Sequence, residues 1–376
     1  MWTVEKYSKL VNSLYNIPGV VTKEWVQDIK NDEAPLSDFF DKFGFCYRDL
    51  SKCDLTDLDR TAMAGIAYSS STVFPKDKMP RDFQPDEFIE FGKDPMLGIK
   101  NLHRNGIDGR GVTVAVIDFG FQDKDHIEFK NSNIEVIDLF GDTDTHFHSD
   151  GVLSNLCGQN IGAAPGVKVL HYNTYQGHGD EVDRATYTIL NDILKRVKSG
   201  EKIRVVNISG PLLRNNQSLR AKNIVEREKI INEIGAPYLK IVNELQTLGC
   251  EVVSSERFGK DFSNCEINPT TKKFYRPLWT KNYGWYEERV SFVCGGKVIP
   301  EFTSLDGYKY EPTGCYSWTI PQAVGMYALC LQKNPKLTWD DYAKICKATS
   351  VLKNGVRLAN PQAIVFAASN QMTMTK

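Results

Sequence analysis

No stretch of the chain approaches the ~18 apolar residues that a membrane-crossing helix needs. The first residues, Met1-Trp2-Thr3-Val4-Glu5-Lys6, lack the basic segment and apolar core of a secretion signal. Neither charge is in surplus: 46 Lys and Arg stand against 47 Asp and Glu in 376 residues, so there is no basic excess to neutralise phosphates and no acidic tail. Nucleic acid and membrane are therefore not expected as partners. Nine cysteines include no CxxC pair, and an odd number cannot all close internal disulfides. Reduced thiols and a cytoplasmic location are expected. Histidine is scarce, six in all with none after His178, which limits any metal site built on imidazoles. No internal repeat and no low-complexity tract is recognised.

The chain is long enough to bury a large core, and its texture changes along its length. Val4, Tyr7, Leu10, Val11 and Leu14 recur at helical spacing, and shorter helical patches follow over 25–29 and 38–43. The run Ser69-Ser70-Ser71-Thr72 and prolines at 75, 80, 85 and 95 then predict an extended linker. The expected division is a small, mainly helical N-terminal region with its linker over residues 1–92 and a large domain over 93–376. From about residue 97, β-branched runs alternate with amphipathic helices, the pattern of a doubly wound α/β domain whose mostly parallel sheet has helices on both faces. Strands are predicted over 112–117, 167–172, 203–208 and 250–254. Helices are predicted over 183–198, about 218–248, 318–332 and 339–346, the last with Thr338 as N-cap. Residues 323–330 leave the helix after Ser317 apolar round most of its circumference, so it should run through the core.

Three side chains could do chemistry. Ser317 lies just before that helix, where free N–H groups and the helix dipole favour developing negative charge, a useful place to mount a weakly nucleophilic hydroxyl. Asp118 ends the apolar strand Val112-Thr113-Val114-Ala115-Val116-Ile117, and ligands gather at such carboxyl ends in open parallel sheets. His148 opens a further helical segment. Each alone is an ordinary turn, cap or packed polar residue; together, in the order Asp, His, Ser at the lips of successive elements, they form a pattern.

That pattern resembles the subtilisin-like serine proteases. Val114 to Phe121 is similar to the family's V-A-V-I-D-T-G-I, with His126 where the family often has a structural histidine. His148-Ser149-Asp150-Gly151-Val152-Leu153-Ser154 resembles H-G-T-x-V-A-[GS], and Gly162-Ala163-Ala164-Pro165 the G-V-A-P that follows. Val205-Val206-Asn207-Ile208-Ser209-Gly210 resembles V-I-N-M-S-L-G. Gly314 to Pro321 with Gly325 resembles G-T-S-M-A-x-P-H-V-A-G, with one extra residue before the serine. The likeness covers about residues 97–366. It implies that Ser317 attacks a peptide carbonyl, His148 relays the proton and Asp118 orients the imidazole. It further implies that the Ser317 N–H helps to hold the oxyanion, and that Ser209 and Gly210 pair with the main chain of a peptide or protein substrate. Structural calcium is common in the family, but no Asp-rich ligand loop is found here, and no other cofactor is expected.

The chain also departs from the pattern. The family's asparagine after the strand at 250–254, the second oxyanion donor, is missing from Ser254-Ser255-Glu256-Arg257. Arg257 is the first candidate to replace it, with Asn264 on the following loop the second. Cys315 precedes the serine, but its offset from Pro321 does not fit a nucleophile, and it reads as a small packed residue. His146-Phe147-His148-Ser149-Asp150-Gly151 also matches the metal-ligand spacing H-x-H-x-D-G of the metallo-β-lactamase family, although too few histidines follow to complete a binuclear site. Two other readings share the protease fold: an impaired pseudoprotease that binds peptides, and a peptide ligase or cyclase that resolves the acyl-enzyme with an amine. Residues 1–92 lack the alternating strands of the family's usual prosegment, and are expected to form either an unusual helical prosegment whose linker occupies the cleft or, the preferred reading, a permanent accessory region.

Overall fold

The computed structural model describes residues 17–31, 44–95, 97–141, 144–175, 180–213, 235–277, 288–301 and 303–374. The N-terminal part holds helix α1 (Lys23–Asn31), the single turn α2 (Arg60–Met63), the two-residue strand β1 (Tyr68–Ser69) and α3 (Pro85–Lys93). Between them the chain winds in stacked coils, with parallel bridges joining Gly44 to Ala67, Asp49 to Val73 and Asp59 to Arg81. Leu50, Leu55 and Leu58 point inward. Each coil makes only one bridge, too short for an alternating pattern, so the repetition does not register in the sequence. The expected linker is folded as well. Pro85 opens α3, where a missing N–H has no bond to lose, and Phe88 and Ile89 are buried. The helices expected over 4–14 and 38–43, and the part of the helix expected over about 218–248 that precedes residue 235, lie outside the described residues.

After α4 (Ile99–Arg104) comes the main sheet. Its elements are β2 (Thr113–Asp118), β3 (Asn133–Ile137), α5 (Phe147–Cys157), β4 (Lys168–Asn173), α6 (Asp180–Lys198), β5 (Ile203–Ile208), α7 (Ala236–Thr247) and β6 (Glu251–Val253). The strands are parallel in the order β3-β4-β2-β5-β6. Strand β2 is central and apolar on both sides because both are covered. Val114 and Val116 pack with Val152 and Leu153 of α5, and Ala115 and Ile117 with Ile189, Leu190 and Ile193 of α6. The two cores therefore clamp the strand that ends in Asp118.

The remaining elements are α8 (Ser255–Asp261), β7 (Phe262–Ile267), β8 (Phe274–Tyr275), β9 (Val290–Gly295), β10 (Lys297–Pro300), β11 (Tyr308–Glu311), α9 (Tyr316–Lys333), α10 (Trp339–Thr349), β12 (Val351–Lys353), β13 (Val356–Leu358) and α11 (Pro361–Met374). A second sheet has the order β12-β13-β9-β7-β8, parallel at its centre and antiparallel at its edges. A small antiparallel sheet, β1-β11-β10, joins the N-terminal part to the rest, with Tyr68 opposite Tyr310 and Ser69 opposite Lys309. Every residue of α9 from Ser317 to Leu331 is buried, as its composition requires. Thr338 caps α10 by accepting from the Asp341 N–H. Strands β7 to β11 and helix α8 are not among the elements expected from the sequence.

Candidate active site

Asp118 is fully buried at the carboxyl end of β2. Its Oδ1 accepts from the Phe119 N–H at 2.8 Å and from His148 Nδ1 at 2.7 Å. His148 sits in the first turn of α5. The helix is capped by His146, whose Nδ1 accepts the His148 N–H at 3.1 Å. Parallel pairing brings the strand end to the helix start, and the carboxylate fixes the proton of the imidazole on Nδ1, leaving Nε2 as the basic nitrogen. The His148 side chain is 20 % exposed, so one edge of the ring faces solvent.

Ser317 stands in the first turn of α9 and is 8 % exposed. Its Oγ donates to the Ser209 carbonyl and receives the Cys315 S–H, both at 3.3 Å. The Cys315 sulfur also lies against the Ser317 N–H, and burial pushes its thiol up, keeping it neutral. No hydrogen bond joins Ser317 to His148 in this state, among the described residues. The residue after the serine does reach the histidine: the Trp318 ring packs against the imidazole with centroids 5.5 Å apart. Phe119 covers another face of His148 at 5.3 Å. Gly314 makes the turn into α9 feasible, because a Cβ there would meet the Cys294 carbonyl oxygen at 2.0 Å.

The expected substrate strand lies beside this group. Asn207 Nδ2 donates to Ser209 Oγ at 2.9 Å, and the Gly210 carbonyl accepts the Ser255 N–H at 2.9 Å. Each carbonyl keeps a second lone pair for another donor. Asp150, two residues past His148, is buried beneath the site and accepts from the N–H groups of Gln122 and Asp123 at 3.1 and 3.4 Å. Burial pushes its carboxyl up to about 8, with the Asp123 and Asp118 charges adding to the effect. Asp150 thus holds its proton, which spares the site a second carboxylate charge beside Asp118.

Two expectations are corrected. Arg257 does not reach the site: Nε donates to Glu251 and Nη1 to Asp261, both at 3.1 Å, and Nη2 binds Asp340. A guanidinium held by three carboxylates has its forks filled, so Arg257 is a tie between β6, α8 and α10 and no oxyanion donor. Asn264 lies on β7 rather than on a loop. The H-x-H-x-D-G spacing does not assemble a metal centre either, since the three side chains serve as helix cap, Asp118 partner and backbone acceptor. Among the described residues no group of three His, Cys, Asp or Glu is placed to hold a metal. A cavity lined by Asp94, Asn160, Lys297 and Gln322 contains none of Asp118, His148 and Ser317. Trp318 and Gly151 were not singled out from the sequence; the only signal was their place next to Ser317 and one helical turn past His148.

No family model matches the sequence, and no curated protein matches it. Among solved structures, that of the prenylagaramide maturation protease PagA is similar with a TM-score of 0.50 at 15 % identity, over 73 % of this chain and 99 % of that one. The subtilase cytotoxin SubAB assembly gives 0.52 at 10 %, over 76 % and 98 %. The PatG macrocyclase domain gives 0.48 at 12 %, over 74 % and 97 %. At these identities the likeness is one of architecture: the chain has a subtilisin-like fold. No described helix is long and apolar enough to cross a membrane.

Proposed function

We propose that this protein is a serine endopeptidase that hydrolyses peptide bonds through Asp118, His148 and Ser317. The observation that carries the reading is the 2.7 Å bond between Asp118 and His148 Nδ1, with the ring of Trp318, the residue after Ser317 in a buried helix, packed on that imidazole. In the free protein the Ser317 hydroxyl rests on the Ser209 carbonyl. Rotation of its side chain toward His148 Nε2 makes the attacking geometry, and catalytic bonds commonly tighten only with substrate present.

The chemistry then follows from the positions. Ser317 Oγ adds to the peptide carbonyl as His148 Nε2 takes its proton, and the Asp118 carboxylate stabilises the imidazolium. The Ser317 N–H turns from the Cys315 sulfur, a weak acceptor, to the much stronger oxyanion. Collapse expels the amine with the proton from His148, and water repeats the sequence on the ester. The substrate main chain lies along Ser209 and Gly210. The nine free thiols suit a reducing, cytoplasmic setting.

Fluorophosphonate labelling of the intact protein, followed by mass spectrometry of peptide products, tests the proposal. Expected are one label on Ser317, none on Ser317→Ala, and products one water heavier than the substrate in sum. Absence of Ser317-dependent labelling and turnover makes the chain a pseudoprotease, and joined or cyclic products make it a ligase.

A further inference from the structure

A tetrahedral intermediate concentrates charge on one oxygen, and a site with a single donor serves it poorly. The Ser317 N–H is one donor, and Arg257 is occupied elsewhere. Asn264 has the opposite condition. Its residue is 1 % exposed, its Oδ1 accepts the Thr319 hydroxyl at 2.6 Å, and its Nδ2 finds no hydrogen-bond partner among the described residues. Buried amides are almost always paired, so an orphan donor asks for a reason. Its place supplies one. Thr319 is two residues past Ser317, and its hydroxyl also lies 3.4 Å from the Tyr316 carbonyl, so the Asn264 amide is held at the base of the turn that carries the nucleophile.

We infer that Asn264 Nδ2 is the second oxyanion donor, anchored through Thr319 and left unpaired in the resting state so that it can bind charge when charge forms. The inference rests on the proposed peptidase reading and deepens it. As the bond from Ser317 Oγ to the carbonyl carbon forms, the π pair moves onto oxygen and the serine proton goes to His148. Asn264 donates a hydrogen bond and transfers nothing. When the pair returns, the carbon–nitrogen bond breaks and the amine takes the proton from His148. A donor with no protein bond to break gives up no hydrogen bond when it meets the developing charge. The donor comes from β7, a different strand from the one whose loop lacks the family's asparagine, which is how a chain without that residue can still have a complete site.

Asn264→Leu keeps the branched outline and removes the donor, together with the acceptor of the Thr319 hydroxyl. The expected result is a fall in kcat of about a hundred- to a thousandfold, with KM changed little and the melting temperature lowered, because the buried Thr319 hydroxyl loses its acceptor. Affinity for a peptide aldehyde, which forms a tetrahedral adduct on the serine, should fall in parallel. Asn264→Asp keeps the shape and the Thr319 bond but offers an acceptor, and should lose at least as much; it serves as the test if Asn264→Leu does not fold. A folded variant whose kcat stays within about threefold of the parent, or one that loses stability but not kcat, overturns the inference while the peptidase reading stands. An inactive parent overturns both.

Discussion

Gly151 and Trp318 compete for one space: a Cβ on Gly151 would lie 2.4 Å from Cζ3 of the Trp318 ring. The glycine is one turn along the helix that presents His148, and the tryptophan follows Ser317. The same ring has its Cδ1 2.8 Å from where a Cβ on Gly314 would be, so it is wedged from both sides and stacks on the imidazole at 5.5 Å. Register between the helix that carries His148 and the one that carries Ser317 is thus set by a ring in a slot that only glycines leave open.

Gly151→Ala should therefore disturb catalysis out of proportion to its size. Alanine in a helix interior gains up to ~1 kcal/mol over glycine, whereas overpacking a filled core costs about 1–3 kcal/mol. The expected net is a loss of about 1 kcal/mol, with kcat reduced at least about tenfold as Trp318 moves and takes His148 with it. Paired thermal melts and turnover measurements check this. Full activity would mean that the ring does not set the register.

How much of this was legible depended on whether a residue's role is local. Strand β2 and the helix after Ser317 advertise themselves because burial on all sides leaves an unbroken apolar run, and both stand within a residue or two of their predicted bounds. Arg257 and Asn264 sit a few residues apart in a stretch with no periodicity, and their partners Asp340 and Thr319 are remote in sequence. Nothing local could rank one above the other. The prolines from 75 to 95 misled for the same reason, since whether Pro85 breaks or starts a helix depends on what Phe88 and Ile89 find to pack against.

Asp150 gives a pH signature. Its carboxyl titrates near 4 in an unfolded chain and at about 8 in the folded protein, raised by burial. Between those limits the folded state holds a proton that the unfolded chain has released, so this group's contribution to stability is complete below pH 4 and is lost as pH rises through 8. Asp150→Asn can still accept from Gln122 and Asp123 and has no proton to lose. The difference in unfolding free energy between variant and parent should be flat below pH 4. It should then rise in favour of the variant toward pH 8, with a slope approaching about 1.4 kcal/mol per pH unit. Denaturant titrations from pH 4 to 9 measure it, and a difference independent of pH would show that Asp150 ionises normally.

Arg257→Ala separates scaffold from catalysis. Removing a cation from among Glu251, Asp261 and Asp340 leaves two partly buried carboxylates facing each other, at a cost of about 3 kcal/mol. Acylation of Ser317, followed as the initial rate of fluorophosphonate labelling at a temperature where the variant is folded, should stay within about threefold of the parent. A large drop in labelling with unchanged stability would return Arg257 to the active site.

Removal of residues 1–92 is the sharpest test of whether the N-terminal part is a detachable prosegment. It contributes β1 to the small sheet, and it covers Ile161, Val298, Tyr308 and Tyr310, each no more than 6 % exposed. Tyr310 donates to the Ala64 carbonyl at 3.0 Å, and Ser70 exchanges hydrogen bonds with Tyr308. Uncovering those four side chains forfeits about 1.5–3 kcal/mol apiece and exposes a strand edge, which together rival the whole stability of a typical domain. Residues 93–376 expressed alone should therefore aggregate, and the intact protein should keep its full mass through long incubation. A stable, more active species beginning between residues 69 and 95 would show instead that the seam is made to part, and that the coils at its far side are an inhibitor held in place until cleavage.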